Sequence, residues 1–217
     1  MFTNLTHEHL DYHGDMANYA AVKQKLFHMP GLKTAVINRD DPYGRELELA
    51  IDKSVQVISY GMHAEHKPVL LGQDVHMLPD GMQFEVKSPF GSGQIKTRLL
   101  GRFNISNLLA ALGVLLAKDL AFETALERLA DVSTVSGRME TLGGHDRPLV
   151  VIDYAHTPDA LQHVLSALRE HTTGTLWCVF GCGGDRDRQK RPLMGRIAEE
   201  YADLSLIHIS EPTRLRR

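Results

Sequence analysis

The sequence predicts an α/β protein: a mainly parallel sheet carrying an antiparallel β insertion, then a second, smaller doubly wound domain. Three observations predict it. Short apolar runs alternate with amphipathic stretches of helical length, as in a parallel sheet with crossover helices. Residues 69–100 instead read as consecutive strands separated by turn-forming Pro, Asp, Ser and Gly. A Gly- and Ser-rich stretch from Asp131 to Pro148 then precedes a clean strand–helix–strand–helix–strand alternation.

The elements follow in order. Asp15 can accept from the free N–H groups of a first helical turn, so a helix runs from about Met16 to Met29 and stops before Pro30. Its apolar positions Met16, Tyr19, Ala20, Val22, Leu26 and Phe27 approximate helical spacing. Lys33–Ile37 is a short buried strand, Asp41-Pro42 opens a helix through about Ile51, and Val55–Ser59 is the next strand. Val69–Leu78 and Met82–Lys87 form a hairpin around Pro79-Asp80-Gly81. The turn Ser88–Gly93 leads to a third strand, Gln94–Leu100. Helices follow at Asn104–Ala117 and Phe122–Ala130. Beyond the boundary come strand Leu149–Ile152, helix Pro158–Glu170, strand Thr175–Phe180, helix Arg191–Tyr201 and the apolar run Leu204–Ile209. Thr157 caps the first of these helices, and Pro158 takes its first position, where no N–H is needed.

Composition narrows the function. The 217 residues carry 24 Lys and Arg against 27 Asp and Glu, a formal charge of −3. That is too near neutral for a dedicated nucleic-acid binder. With 43% hydrophobic residues the chain is globular in composition. No apolar run approaches the roughly 20 residues that cross a bilayer. The N-terminus lacks the charged and apolar regions of a signal peptide. Two cysteines, Cys178 and Cys182, make no disulfide framework, so a cytoplasmic location is expected.

Four constellations can carry chemistry. His7, His9, Asp11 and His13 lie at alternate positions, on one face of an extended segment, with Lys23 on the helix that follows. By residue type they suit zinc better than magnesium, which prefers oxygens; a plain solvated loop is the other reading. Asn104 and Asn107, three residues apart on a first helical turn, can read a nucleobase edge with donor and acceptor, or Asn104 can simply cap the helix. Asp153 ends a parallel strand before a helix N-terminus, where open α/β sheets bind ligands, and can hold a ribose hydroxyl; an ordinary capped loop is the alternative. Gly181-Cys182-Gly183-Gly184-Asp185-Arg186 follows another strand. Its glycines allow backbone approach to an anion, and Arg186 offers a bidentate fork. It is neither a Walker A loop nor G-x-G-x-x-G.

Taken together, these segments resemble the Mur ligase family. The resemblance rests on Thr3-Asn4-Leu5, His9-Leu10-Asp11-Tyr12-His13-Gly14, Tyr19 with Lys23, Asp40-Asp41-Pro42-Tyr43-Gly44, Phe103-Asn104 with Asn107, Ser136-Gly137-Arg138-Met139-Glu140, Asp153-Tyr154-Ala155-His156-Thr157-Pro158 and Gly181–Arg186. They fall in the family's order across residues 3–203. The resemblance implies part of a central ATPase domain in residues 1–135 and the start of a Rossmann-like ligase domain in 136–203. It implies an ATP-dependent amide ligase of peptidoglycan precursor synthesis. Such an enzyme adds a diamino acid, meso-diaminopimelate in preference to L-lysine, to UDP-MurNAc-L-Ala-D-Glu through an acyl phosphate. The expected cofactors are ATP and Mg²⁺, and a monomer is expected.

Residue by residue, Lys23 matches the lysine that the family carbamylates, and His9 a magnesium ligand, which overrides the zinc reading. Asn104 and Asn107 match the adenine-side element, Arg138 an arginine near the nucleotide, Asp153 the ribose contact, and Arg186 a residue that binds the carboxylate of the diamino acid. The chain departs from the pattern in places. Glu8 replaces an expected aspartate. The glycine-lysine phosphate loop, the UDP-sugar-binding domain and the Asp-Asn-Pro-Arg element that selects diaminopimelate are absent, so an interior fragment, inactive alone, is expected. Residues 204–217 resemble translated sequencing-adapter read-through and are expected to be extraneous. Two alternatives are a related ligase such as folylpolyglutamate synthetase, and a non-catalytic metal- or nucleotide-binding fragment that uses the His loop.

Overall fold

The computed structural model describes residues 1–5, 15–144, 146–182 and 190–209. The chain divides into two compact units. The first takes Met1–His76, Gln83–Thr97 and Arg102–Val132; the second takes Met77–Met82, Arg98–Gly101 and Ser133–Arg217.

The first unit is built on a five-stranded sheet in the order β1 (Thr34–Asn38), β2 (Gln56–Gly61), β3 (Leu70–Leu78), β4 (Gly81–Ser88), β5 (Gly91–Thr97). β1 and β2 run parallel, with Thr34 opposite Gln56 and Asn38 opposite Tyr60; β2 and β3 are also parallel. Two-residue connections join β3 to β4 and β4 to β5, which geometry permits only between antiparallel strands. The expected mixture of parallel sheet and antiparallel insertion is therefore present. Phe2 extends the ladder beside β1, bridging Ile37.

Among the described residues four α-helices serve this unit: α1 (Met16–Gln24), α2 (Pro42–Ala50), α3 (Arg102–Leu116) and α4 (Phe122–Ala130). α3 packs on β1 and β2, and α4 on β5. Asp15 caps α1 by accepting from the Asn18 N–H at 2.8 Å. The expected helix to Met29 tightens after Gln24 into a 3₁₀ turn, Lys25–His28, before Pro30. β5 begins three residues earlier than its glycines suggest. A Cβ at Gly93 would lie 2.5 Å from Leu126 Cδ1, so this glycine lets α4 approach the strand.

At the centre of the first unit Tyr60 is fully buried, its hydroxyl donating to the Phe2 carbonyl at 3.3 Å. Burial pushes the Tyr60 phenol up to about 12; the Ser106 hydroxyl opposes the rise, and Asp40 and Asp41 add to it. This contribution to stability is complete below pH 10, the ordinary tyrosine value, and is lost as pH climbs from there through about 12. About 2 kcal/mol is at stake. Urea unfolding of Tyr60→Phe across that range is expected to show a flatter decline than the unsubstituted chain. Parallel declines in the two proteins would refute the assignment.

The second unit contains β6 (Glu140–Gly143), β7 (Leu149–Ile152), α5 (Pro158–His171), β8 (Trp177–Cys182), α6 (Lys190–Tyr201) and β9 (Leu204–Ile209). Thr157 caps α5, accepting from the Ala160 N–H at 3.3 Å, with Pro158 at its first position. β8 and β9 pair in parallel over six positions, from Trp177 opposite Leu204 to Cys182 opposite Ile209. The segment set apart as adapter-like thus contributes a strand through its apolar pattern. Residues 210–217 lie outside the described residues. The expected sheet differs in one respect: β7 pairs antiparallel with β6, and among the described residues no ladder joins it to β8. Glu140–Gly143 sits inside the stretch read as a linker. Gly143 and Gly144, at φ +82° and +89°, turn the chain back on itself. Closing so short a loop costs less chain entropy than a crossover does.

No helix among the described residues is long and apolar enough to cross a membrane.

Candidate active site

The two units each hold part of the sequence-predicted set. In the first unit, Lys23 lies on the last turn of α1, half-buried. Its Nζ donates to the Asn4 carbonyl at 3.4 Å and stands 4.8 Å from the Tyr19 ring centroid. The Asp-Asp-Pro-Tyr-Gly motif explains why Lys23 faces this segment. Asp41 caps α2, its Oδ1 accepting from the Gly44 N–H at 3.1 Å, while its Oδ2 accepts from the Leu5 N–H at 2.9 Å. Asn38 Nδ2 donates to the Thr3 carbonyl at 2.8 Å. Tyr43 Oη donates to the Ala20 carbonyl at 2.9 Å, tying α1 to α2. One short motif therefore anchors both the Thr3–Leu5 segment and the helix that carries Lys23. His9, with His7, Asp11 and His13, lies outside the described residues.

Asn104 and Asn107 lie about one turn apart near the start of α3. Asn107 Nδ2 donates to Asn104 Oδ1 at 3.0 Å, with Asn107 exposed and Asn104 half-buried. The spacing brings the two amides together as expected. α3 begins at Arg102, so Asn104 sits inside the helix and not ahead of it as a cap.

In the second unit the β7–α5 loop folds back on the Ser-Gly-Arg-Met-Glu segment. Asp153 binds both sides of this junction: Oδ2 accepts from the Met139 N–H at 2.9 Å and Oδ1 from the Ala155 N–H at 2.8 Å. Tyr154 N–H donates to the Gly137 carbonyl at 2.8 Å. Glu140 closes the segment, accepting from the Gly137 N–H and the Ser136 hydroxyl, each at 2.9 Å. These two donors, the backbone one foremost, hold its carboxyl below the usual range. Arg138 and Asp153 thus come into one neighbourhood, with the Arg138 guanidinium 5.6 Å from the Tyr154 ring centroid.

Sequence reasoning gave no role to the aromatic surface this creates. Tyr154 is 66% exposed, and its ring lies 5.0 Å from that of His156. Lys190, at the start of α6, donates to the His156 carbonyl at 3.2 Å. The available signal was the position of Tyr154 and His156 in the loop between a strand and a capped helix, beside Asp153. Each Asp153 oxygen keeps a free lone pair beyond the bond described, so a hydroxyl donor can still be received there. Arg186 lies outside the described residues.

Comparison with known proteins shows the family. Residues 1–115 match the Mur ligase middle domain, and residues 137–215 match the Mur ligase glutamate ligase domain. A UDP-N-acetylmuramoyl-L-alanyl-D-glutamate–2,6-diaminopimelate ligase of Coxiella burnetii is 45% identical over 215 residues, covering 98% of this chain and 44% of its own length. A solved structure of a ligase of that name superposes with a TM-score of 0.77 at 36% identity, over 94% of this chain and 42% of its own. The MurF ligase of Thermotoga maritima, solved in complex with ADP, shares the fold, with a TM-score of 0.70 at 20% identity over 96% of this chain and 48% of its own. The chain therefore spans less than half the length of these relatives. With both domain matches in sequence order, and the first alone covering more than half of the residues, the chain belongs to the Mur ligase family.

Proposed function

We propose that this chain forms the middle (residues 1–135) and C-terminal (residues 136–203) portions of a cytoplasmic, monomeric, ATP-dependent ligase. That ligase adds meso-diaminopimelate to UDP-MurNAc-L-Ala-D-Glu in peptidoglycan precursor synthesis. The 45% identity to a ligase of that name over 98% of the chain carries the reading.

The donor chemistry fits the expected cofactors. ATP supplies the phosphoryl group that activates the substrate carboxylate as an acyl phosphate, and Mg²⁺ offsets phosphate charge. Asn104 and Asn107 offer a paired acceptor and donor for the adenine edge. Tyr154 offers a ring face, Arg138 a cation beside it, and Asp153 an acceptor for ribose. As an ammonium, Lys23 would repel Mg²⁺; as a carbamate it presents anionic oxygens that suit a hard cation, with His9 completing the pair. Arg186 receives the carboxylate of the diamino acid.

The test exchanges residues 1–203 for the matching stretch of the Coxiella burnetii ligase. Diaminopimelate-dependent phosphate release by this hybrid is expected, while the 217-residue chain alone, with no glycine-lysine phosphate loop in its sequence, gives none above background. A folded, ATP-binding hybrid without ligation, or turnover by the chain alone, would contradict the proposal.

A further inference from the structure

One cluster of metal-ligating side chains among the described residues has no part in this ligase chemistry. Asp40 follows β1, and His63 and His66 follow β2. One ligand atom from each lies within 4.8 Å of the others. Parallel pairing of β1 and β2 delivers both loops to the same end of the sheet. His63 then precedes a 3₁₀ turn, Ala64–His66, in which residues three apart lie one above the other. Both Nδ1 atoms stand 3.1 Å from the same Asp40 Oδ1.

That arrangement overfills the oxygen. Oδ1 also faces the His63 N–H at 3.3 Å, so three donors converge on a group with two lone pairs. With both imidazoles in their Nε2–H form, the same geometry presents two nitrogen lone pairs and a carboxylate, a ligand set. We propose that Asp40, His63 and His66 form a binding site for a transition-metal dication, Zn(II) by its preference for two imidazoles and one carboxylate, with solvent completing a tetrahedron.

Two features prepare the site. The Asp40 carboxylate is fixed by the Met62 N–H, which donates to Oδ2 at 2.6 Å. A Cβ at Gly61 would lie 2.7 Å from Oδ1, so the bare glycine leaves the carboxylate its place against β2. The turn is pinned as well. Arg39 Nη1 donates to the His66 carbonyl at 3.1 Å and to the Lys67 carbonyl, while its Nε and Nη2 grip Glu48 at 2.7 Å each. Glu48 thereby offsets the charge of the Arg39 guanidinium beside the turn; the Arg45 guanidinium, also nearby, is engaged with the Arg39 and Asp40 carbonyls. Ligand separations in a tetrahedral zinc site are about 3.3 Å, so the side chains need only small shifts.

The test is a Zn(II) titration of the 217-residue chain in a His7→Gln, His9→Gln, His13→Gln background, which removes the N-terminal imidazoles. Binding that saturates at one equivalent is expected. It should weaken in His63→Gln and in His66→Gln by more than the roughly 10–100-fold that outer-sphere changes cost. The His63 side chain is more than half exposed, so His63→Gln should leave metal-free thermal unfolding unchanged. Co(II) bound to the background chain should show tetrahedral visible bands that the double variant lacks. The absence of saturable binding, or binding that persists in His63→Gln with His66→Gln, overturns the site.

Discussion

Lys23→Ala is expected to lower turnover of the hybrid ligase on the order of a thousandfold, the scale seen when one charged or dipolar stabiliser of a transition state is removed. The loss should fall on kcat more than on KM, because the proposed role is to position the metal against charge that develops on the nucleotide. Lys23→Arg should be as damaging: a guanidinium keeps the positive charge and cannot form a carbamate. In the structure the amine faces the Asn4 carbonyl and the Tyr19 ring, both partners of a cation. Carbamylation must therefore begin from the neutral amine and release Asn4, since two oxygen acceptors repel. Partial rescue of Lys23→Ala by acetate or formate is expected, and Lys23→Arg, whose longer side chain fills the space, should resist it. Normal turnover of Lys23→Ala without added carboxylate would remove the lysine from the mechanism.

What was legible in the sequence was local. Asp15, Asp41 and Thr157 each act as the caps their positions announced, because a cap needs only a partner two or three residues on. The amide pair Asn104–Asn107 likewise follows from helical spacing. Boundaries failed where a distant neighbour decided them. Gly93 looked like part of a turn until α4 was placed over it. Glu140–Gly143 looked like linker because its pairing with β7 depends on two left-handed glycines and not on a long apolar run. The Asp40–His63–His66 cluster was invisible for a related reason. Asp40 stands more than twenty residues from the two histidines, and only the β1–β2 register unites them. Tyr43 and Asp41 stood in a motif that was noticed, yet their bonds to Ala20 and Leu5 could not be read from spacing.

His171 is the long-range contact with the largest expected effect on stability. It ends α5, buried, and binds two segments far away in the sequence but within the same unit. Its Nε2 accepts from the Gly101 N–H at 2.8 Å, and its Nδ1–H donates to the Leu78 carbonyl at 2.7 Å. These two bonds require the neutral ring with its proton on Nδ1. Beside them Leu100, Met139 and Ala167 form an apolar cluster with Val151, Val164 and Leu168; Gly101 is buried and Leu78 half-buried. His171→Phe keeps most of the ring volume and strands one buried N–H and one half-buried carbonyl. At about 1–3 kcal/mol for the buried N–H, and less for the carbonyl that water can reach, a loss of about 2 kcal/mol is expected, read as a lower urea midpoint at unchanged slope. His171→Gln, whose amide can donate and accept but not span both partners at once, should lose roughly half as much. If His171→Phe unfolds at the same urea concentration as the unsubstituted chain, the ring fills space there and does not hold the Leu78 and Gly101 segments in place.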